Sequence, residues 1–171
     1  MAIRKILQYP DPVLKQKSKK ISVVGASTHK LVKDMIDTLD EAGGVGLAAP
    51  QIGVLARIVV IHLPEEDPFA LINPQVVKRE GERIVSEGCL SLPGFRGDVK
   101  RSVIVTVKAK DIEGHNVRIK SSDDLLAQCL EHEIDHLDGI IYIDRLESLD
   151  KLHKIEPGEE EPDGETPANK E

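Results

Sequence analysis

The chain has 171 residues, 40% apolar and 31% charged, enough to bury one core and too few for a second full domain. Aromatic residues make up 2%, namely Tyr9, Phe69, Phe95 and Tyr142, which argues against a base-stacking surface for single-stranded nucleic acid. The formal net charge is -7, and residues 156–171 hold seven carboxylates against one lysine; the remainder is nearly neutral and gives no electrostatic reason for a membrane or nucleic-acid partner.

The opening MAIRKILQYPDPVLKQKS has no long apolar run, and Pro10 and Pro12 interrupt it, so no signal peptide is expected. No stretch is long and apolar enough to cross a bilayer. Cys89 and Cys129 do not suggest a disulfide framework; a reducing cytoplasm, the expected location, leaves their thiolates available to metal.

In chain order, Ser27 or Thr28 is a plausible N-cap, and Leu31, Met35, Ile36 and Leu39 repeat at helical spacing until Gly43-Gly44. ARIVVIHL (56–63), ALINPQVVKRE (70–80) and ERIVSEG (82–88) are β-branched, bounded by Pro or Gly, and read as strands. SVIVTVKAKD and HNVRIK flank Ile112-Glu113-Gly114, predicting a hairpin with Gly114 left-handed. A second helix is expected over roughly 123–138. Its apolar residues Leu125, Leu126, Cys129, Leu130, Ile134 and Leu137 cover more than one face, which predicts a central, buried helix. After IIYIDRL, residues 156–171 have almost no apolar side chains and are expected to be disordered.

On that second helix, His132 and His136 lie about 40° apart and one turn up, so their imidazoles can converge on one ion with Glu133 beside them. A catalytic site of this kind needs a third protein ligand. The peptidase pattern HExxHxxGxxH is followed through Gly139 but fails at Tyr142, and the downstream glutamates are Glu147 and those near or in the acidic segment. Cys129 shares the helical face but lies about 7 Å along the axis from the midpoint of the histidines, with its side chain directed away. Cys89, in the turn-like EGCLSLP, is the favoured source by elimination. Spacing alone leaves open a structural Cys89, a histidine pair without metal, and a closed structural metal site.

Three stretches in order, GVGLAAPQIG (44–53), EGCLSLP (87–93) and EHEIDHLDG (131–139), resemble the three signature motifs of peptide deformylases. ILQYPDPVLKQKS is similar to the family's N-terminus, so the resemblance spans roughly residues 3–147. It implies an enzyme that removes the formyl group from the N-terminal formyl-methionine of nascent polypeptides. In that resemblance Cys89, His132 and His136 bind one divalent metal, Glu133 is the acid and base, and Gln51 with the Leu90 backbone N–H stabilises the oxyanion. Gly46 lets an extended substrate approach, and Val45, Val85, Leu125 and Cys129 wall the methionine pocket.

Gln128 and Asp124 depart from the family's usual apolar residue and glycine, which bears on the pocket's shape. Arg101 and Asp135 are expected to pair behind the ligands, and Phe95 and Arg96 to border the cleft. Thiolate and imidazole donors suit Fe(II), Zn, Ni or Co, with Fe(II) first by resemblance. Some members of the family are thought to meet nascent chains at the ribosome; RNA phosphates would repel the acidic segment here, so any such docking is not expected through it. The element order and the resemblance together imply an α+β fold. Antiparallel β-sheets would pack around a central C-terminal helix carrying HExxH, with an N-terminal helix and a single catalytic domain over 1–155.

Overall fold

Helix α1, Ala26–Ala42, begins slightly earlier than a Ser27 or Thr28 cap would set it. Gly25 holds the N-cap position, and Thr28 acts from inside the first turn, its hydroxyl accepting the Gly25 N–H at 3.5 Å. Gly43 ends the helix in the left-handed region, φ 69°, with its N–H on the Asp40 carbonyl. These features come from a computed structural model that describes residues 2–122 and 124–156. The expected disorder of the acidic segment lies, beyond Glu156, outside the described residues.

Among the described residues, eight strands follow in two antiparallel sheets. The larger has the order β1-β2-β3-β6-β7, from Gly46–Ala48, Ile58–Ile61, Phe69–Glu80, Ile104–Lys110 and Asn116–Ser122. The smaller has β4 (Arg83–Cys89), β5 (Leu92–Arg101) and β8 (Leu152–Lys154) in the order β4-β5-β8. The hairpin between β6 and β7 turns at Gly114, φ 86°, where the Asp111 carboxylate accepts the N–H groups of Glu113 and His115. β1, β5 and β8 have no counterpart among the expected strands. Pro93, Gly94 and Gly97 erase the alternation in LPGFRGDVKR, which is extended because β4 pairs along one edge and β8 along the other.

Helix α2, Leu125–Leu137, starts after Asp124, whose carboxylate caps it by accepting the Ala127 N–H at 2.8 Å. Ten of its thirteen residues are buried. Leu130, Ile134 and Leu137 pack with Val59, Ile61, Val105 and Val107 of the larger sheet. On that sheet's other face, Ile58, Val60 and Ile72 meet Val32, Met35 and Leu39 of α1. This is why Ile58–Ile61 is apolar at every position: both of its faces are covered. Neither described α-helix is long and apolar enough to cross a membrane.

Candidate metal centre

α2 presents His132 and His136 from successive turns, with ring centroids 5.1 Å apart. The third donor comes from the end of β4. A register irregularity between Glu87 and Cys89 breaks the ladder there, and Cys89 Sγ lies 3.3 Å from His136 Nε2. One donor atom from each of Cys89, His132 and His136 fits within 4.8 Å of the others. The three expected ligands therefore meet. Cys129, on the same helix, is buried and forms a wall of the adjoining cavity, and Tyr142 stacks on His132 at 6.2 Å.

Behind the donors runs a buried chain of charge. Glu87 Oε1 lies 3.3 Å from His132 Nδ1, and Arg101 donates to both Glu87 oxygens at 2.9–3.1 Å. Arg101 also reaches Asp135 Oδ2 at 2.8 Å, and Asp135 accepts two further bonds from Arg145. The Arg101–Asp135 pair was expected; Glu87 and Arg145 were not. Burial alone would raise the Glu87 carboxyl, but Arg101 and His132 hold it below the usual range. A histidine whose Nδ1 is held by a carboxylate turns Nε2 toward the ion with a fixed tautomer and ring angle.

The charge balance suits a cation. Burial opposes protonation of His132, yet hydrogen bonding to Cys89 and Glu87 and the field of Glu133 hold its pKa well above the ordinary value. A metal ion can replace that proton among the same anionic neighbours. Burial, then the charges of His132 and Arg101, push His136 far the other way and keep it neutral, as a ligand must be. The donor set thus fits a divalent ion of borderline softness.

Glu133 is 4% exposed, and burial pushes its carboxyl up to about 7, with His132 opposing. Its Oε1 is 4.0 Å from His132 Nε2, and its Oε2 is buried with no hydrogen-bond partner among the described residues. A carboxyl so placed is poised to take up and release a proton. Gly46 on β1 makes room for it: a Cβ there would sit 2.7 Å from both Glu133 Oε1 and Cys129 Sγ.

Gln51 stands on a short 3-10 turn, Ala49–Ile52, and is almost wholly buried. Its Oε1 accepts the Ala48 N–H at 2.9 Å, which turns Nε2 toward Ser91 Oγ at 3.1 Å and Cys89 Sγ at 3.6 Å. Its donor group therefore faces Cys89, one of the three candidate metal donors. Leu90 lines the same cavity.

Val45, Leu125 and Cys129 form apolar walls of that cavity, and Phe95, Arg96 and Gln128 also line it. Val85 does not. It is paired with Val99 across the β4–β5 ladder and packs with Leu14, Ile141 and Tyr142 behind the site. Ser91, which positions the Gln51 amide, had no role in the sequence reading. Glu87 carried a usable signal, since it lies two residues before Cys89 on a strand, the spacing that shares a face.

The profile of the polypeptide deformylase family matches residues 3–152. A peptide deformylase of Dehalococcoides mccartyi strain CBDB1 is 51% identical over 164 residues, covering 95% of this chain and 98% of the relative. That of Thermomicrobium roseum is 49% identical over 169 residues, covering 94% and 96%. The crystal structure of a peptide deformylase from Legionella pneumophila superposes with a TM-score of 0.83 at 44% identity, covering 88% of this chain and 89% of that one. With the profile matched over most of its length and relatives near half identity, the chain belongs to the polypeptide deformylase family.

Proposed function

We propose that the protein hydrolyses the formyl group from the N-terminal formyl-methionine of newly made polypeptides, releasing formate and a free amine. Residues 1–155 serve as one catalytic unit in the cytoplasm. The observation that carries the reading is the convergence of Cys89, His132 and His136, at an apolar cleft, beside a buried Glu133 carboxylate whose Oε2 has no hydrogen-bond partner among the described residues.

Cys89, His132 and His136 would hold one divalent ion, Fe(II) first, with Zn, Ni and Co as alternatives for the same donors. When bound, the ion supplies Lewis acidity, which makes water a nucleophile near neutral pH. Glu133 accepts a proton from the attacking water, and the oxygen adds to the formyl carbon. The Gln51 Nε2–H and the Leu90 N–H donate to the oxyanion that develops on the former carbonyl oxygen. Glu133 then passes the proton to the departing nitrogen as the carbon–nitrogen bond breaks, so that formate leaves with the added oxygen and the peptide keeps the hydrogen. Val45, Leu125 and Cys129 receive the methionine side chain. Any association with the ribosome would use a surface other than the acidic segment, which RNA phosphates repel.

The test is release of formate from a formyl-methionyl peptide by the metal-loaded protein, with and without a chelator. Release that stops with chelator and returns with metal supports the reading, whereas cleavage of internal peptide bonds without formate overturns it.

A further inference from the structure

Leu90 and Ser91 form the two-residue turn that joins β4 to β5, with Cys89 and Leu92 paired on either side of them. Turns of this length match the twist of the flanking strands when one or both central residues have positive φ, which is why Gly and Asn dominate them. Neither residue here does: among the described residues, positive φ outside glycine occurs at Glu65 and Asn73. The turn that carries the Leu90 N–H is therefore not one that its own sequence favours, and it depends on support from outside the hairpin.

That support comes from the N-terminal segment. Gln8 Nε2 donates to the Leu90 carbonyl at 3.1 Å, and the Tyr9 N–H donates to the Ser91 carbonyl at 2.8 Å. One residue earlier, the Leu7 N–H donates to the Gln51 carbonyl at 2.7 Å. Gln51 in turn donates from Nε2 to Ser91 Oγ at 3.1 Å, which closes a loop of bonds through Gln51 and the Leu90 turn. The segment is itself anchored, because Ile6 packs into the core beneath α1 and Leu7 into that of Leu14 and Tyr142. Gln8 is exposed, yet its amide nitrogen also faces the Ile6 carbonyl at 3.4 Å, and two carbonyl neighbours fix which way round the carboxamide sits.

We propose that residues 7–9 act as a clamp that holds the Gln51 amide and the Leu90 N–H in one arrangement, with Gln8 as a positioning residue for formyl hydrolysis. The proposal rests on the deformylase reading, which makes those two groups the oxyanion donors. Donors fixed before the reaction need no reorganisation as charge develops, so loosening them lowers rate more than substrate affinity. Gln8 does not line the cavity, and its effect passes through the Leu90 turn rather than through contact with the substrate.

The experiment compares zinc-loaded, full-length native protein with Gln8→Met, whose side chain has similar length and no donor. With formyl-Met-Ala-Ala the variant should show kcat lower by about three- to tenfold, KM within about twofold, and equal metal content. Backbone amide NMR relaxation should show Leu90 and Ser91 more mobile in the variant and the amides of α2 unchanged. A variant with undiminished kcat overturns the positioning role, as does a loss in kcat/KM carried by KM, and equal order of the turn in both proteins overturns the clamp. If the native chain releases no formate while the substitution still loosens the turn, the deformylase reading fails and the clamp on the turn stands.

Discussion

Glu87 Oε1 lies 3.3 Å from Nδ1 of His132, and both side chains are buried, so a carboxylate on β4 sets the imidazole angle of a proposed metal ligand on α2. The same carboxylate accepts three hydrogen bonds from Arg101 on β5, and Arg101 in turn ties the smaller sheet to the helix through Asp135. Replacing it with Gln keeps the shape and removes the charge. Glu87→Gln should weaken metal binding by about 10- to 100-fold, read by competition with a chromophoric chelator. Glu87→Ala should in addition lower unfolding stability by about 1–3 kcal/mol, because the buried Arg101 guanidinium loses three hydrogen bonds and keeps only Asp135.

Gly46 tests the placement of Glu133. A methyl group there would overlap Glu133 Oε1 and Cys129 Sγ, and the short strand β1 leaves little room for retreat. Gly46→Ala should keep its metal, since the atoms nearest the added methyl belong to Cys129 and Glu133 and not to a proposed ligand, while kcat falls by about 10²-fold or more through displacement of the carboxyl. Metal content measured beside formate release separates the two effects.

Gln51→Ala removes one of the two proposed oxyanion donors and should lower kcat by about 10²- to 10³-fold at unchanged metal content. Ser91→Ala leaves the donor present and loosens its position. A smaller fall in kcat is expected, with KM for the formyl-peptide little changed; equal losses in the two variants would assign Ser91 a role beyond holding Gln51.

Away from the site, Arg4 holds Asp34 through hydrogen bonds of 2.9 and 3.1 Å, and Lys30 adds a second cation. Arg4 foremost keeps this carboxyl below its ordinary value, against the opposing effect of burial. A depressed folded-state pKa contributes stability that is fully present above the unfolded value and lost as pH falls through the folded one. Asp34→Asn should therefore lower the urea midpoint near neutrality and flatten its decline in acid. Parallel acid limbs in the two proteins would remove Asp34 from the account.

The pH dependence of turnover has its own sign. As the proposed base, Glu133 would have to be ionised to accept a proton, and in the protein without metal burial holds it at about 7. A bound cation favours the carboxylate, so the acid limb of kcat/KM in the loaded enzyme should fall below that value. A limb lying above it would contradict Glu133 as the base.

Much of the site is legible in the sequence because its spacing carries its own geometry. His132 and His136 need only a helix to converge, and the apolar circumference of 125–137 announces that this helix is buried. Cys89 is reachable by elimination, but the break in the β4–β5 ladder that turns its thiol inward depends on a partner strand that the sequence hides. β5 is that strand, and pairing on both edges overrides its proline and glycines. Val85 shows the converse: its apolar character suits either a pocket wall or a core, and only the packing of Leu14, Ile141 and Tyr142 decides. Glu87 and Arg145 gain their meaning from Arg101 and Asp135, charges far apart in sequence that tertiary packing brings into one buried chain.

The most direct test is metal content, measured on anaerobically purified native protein, Cys89→Ala and Glu133→Ala. About one equivalent is expected in the native chain and in Glu133→Ala, the latter without turnover, and a large loss of metal in Cys89→Ala. A Cys89→Ala protein that keeps both its metal and its rate would contradict the assignment of that thiolate to the ion.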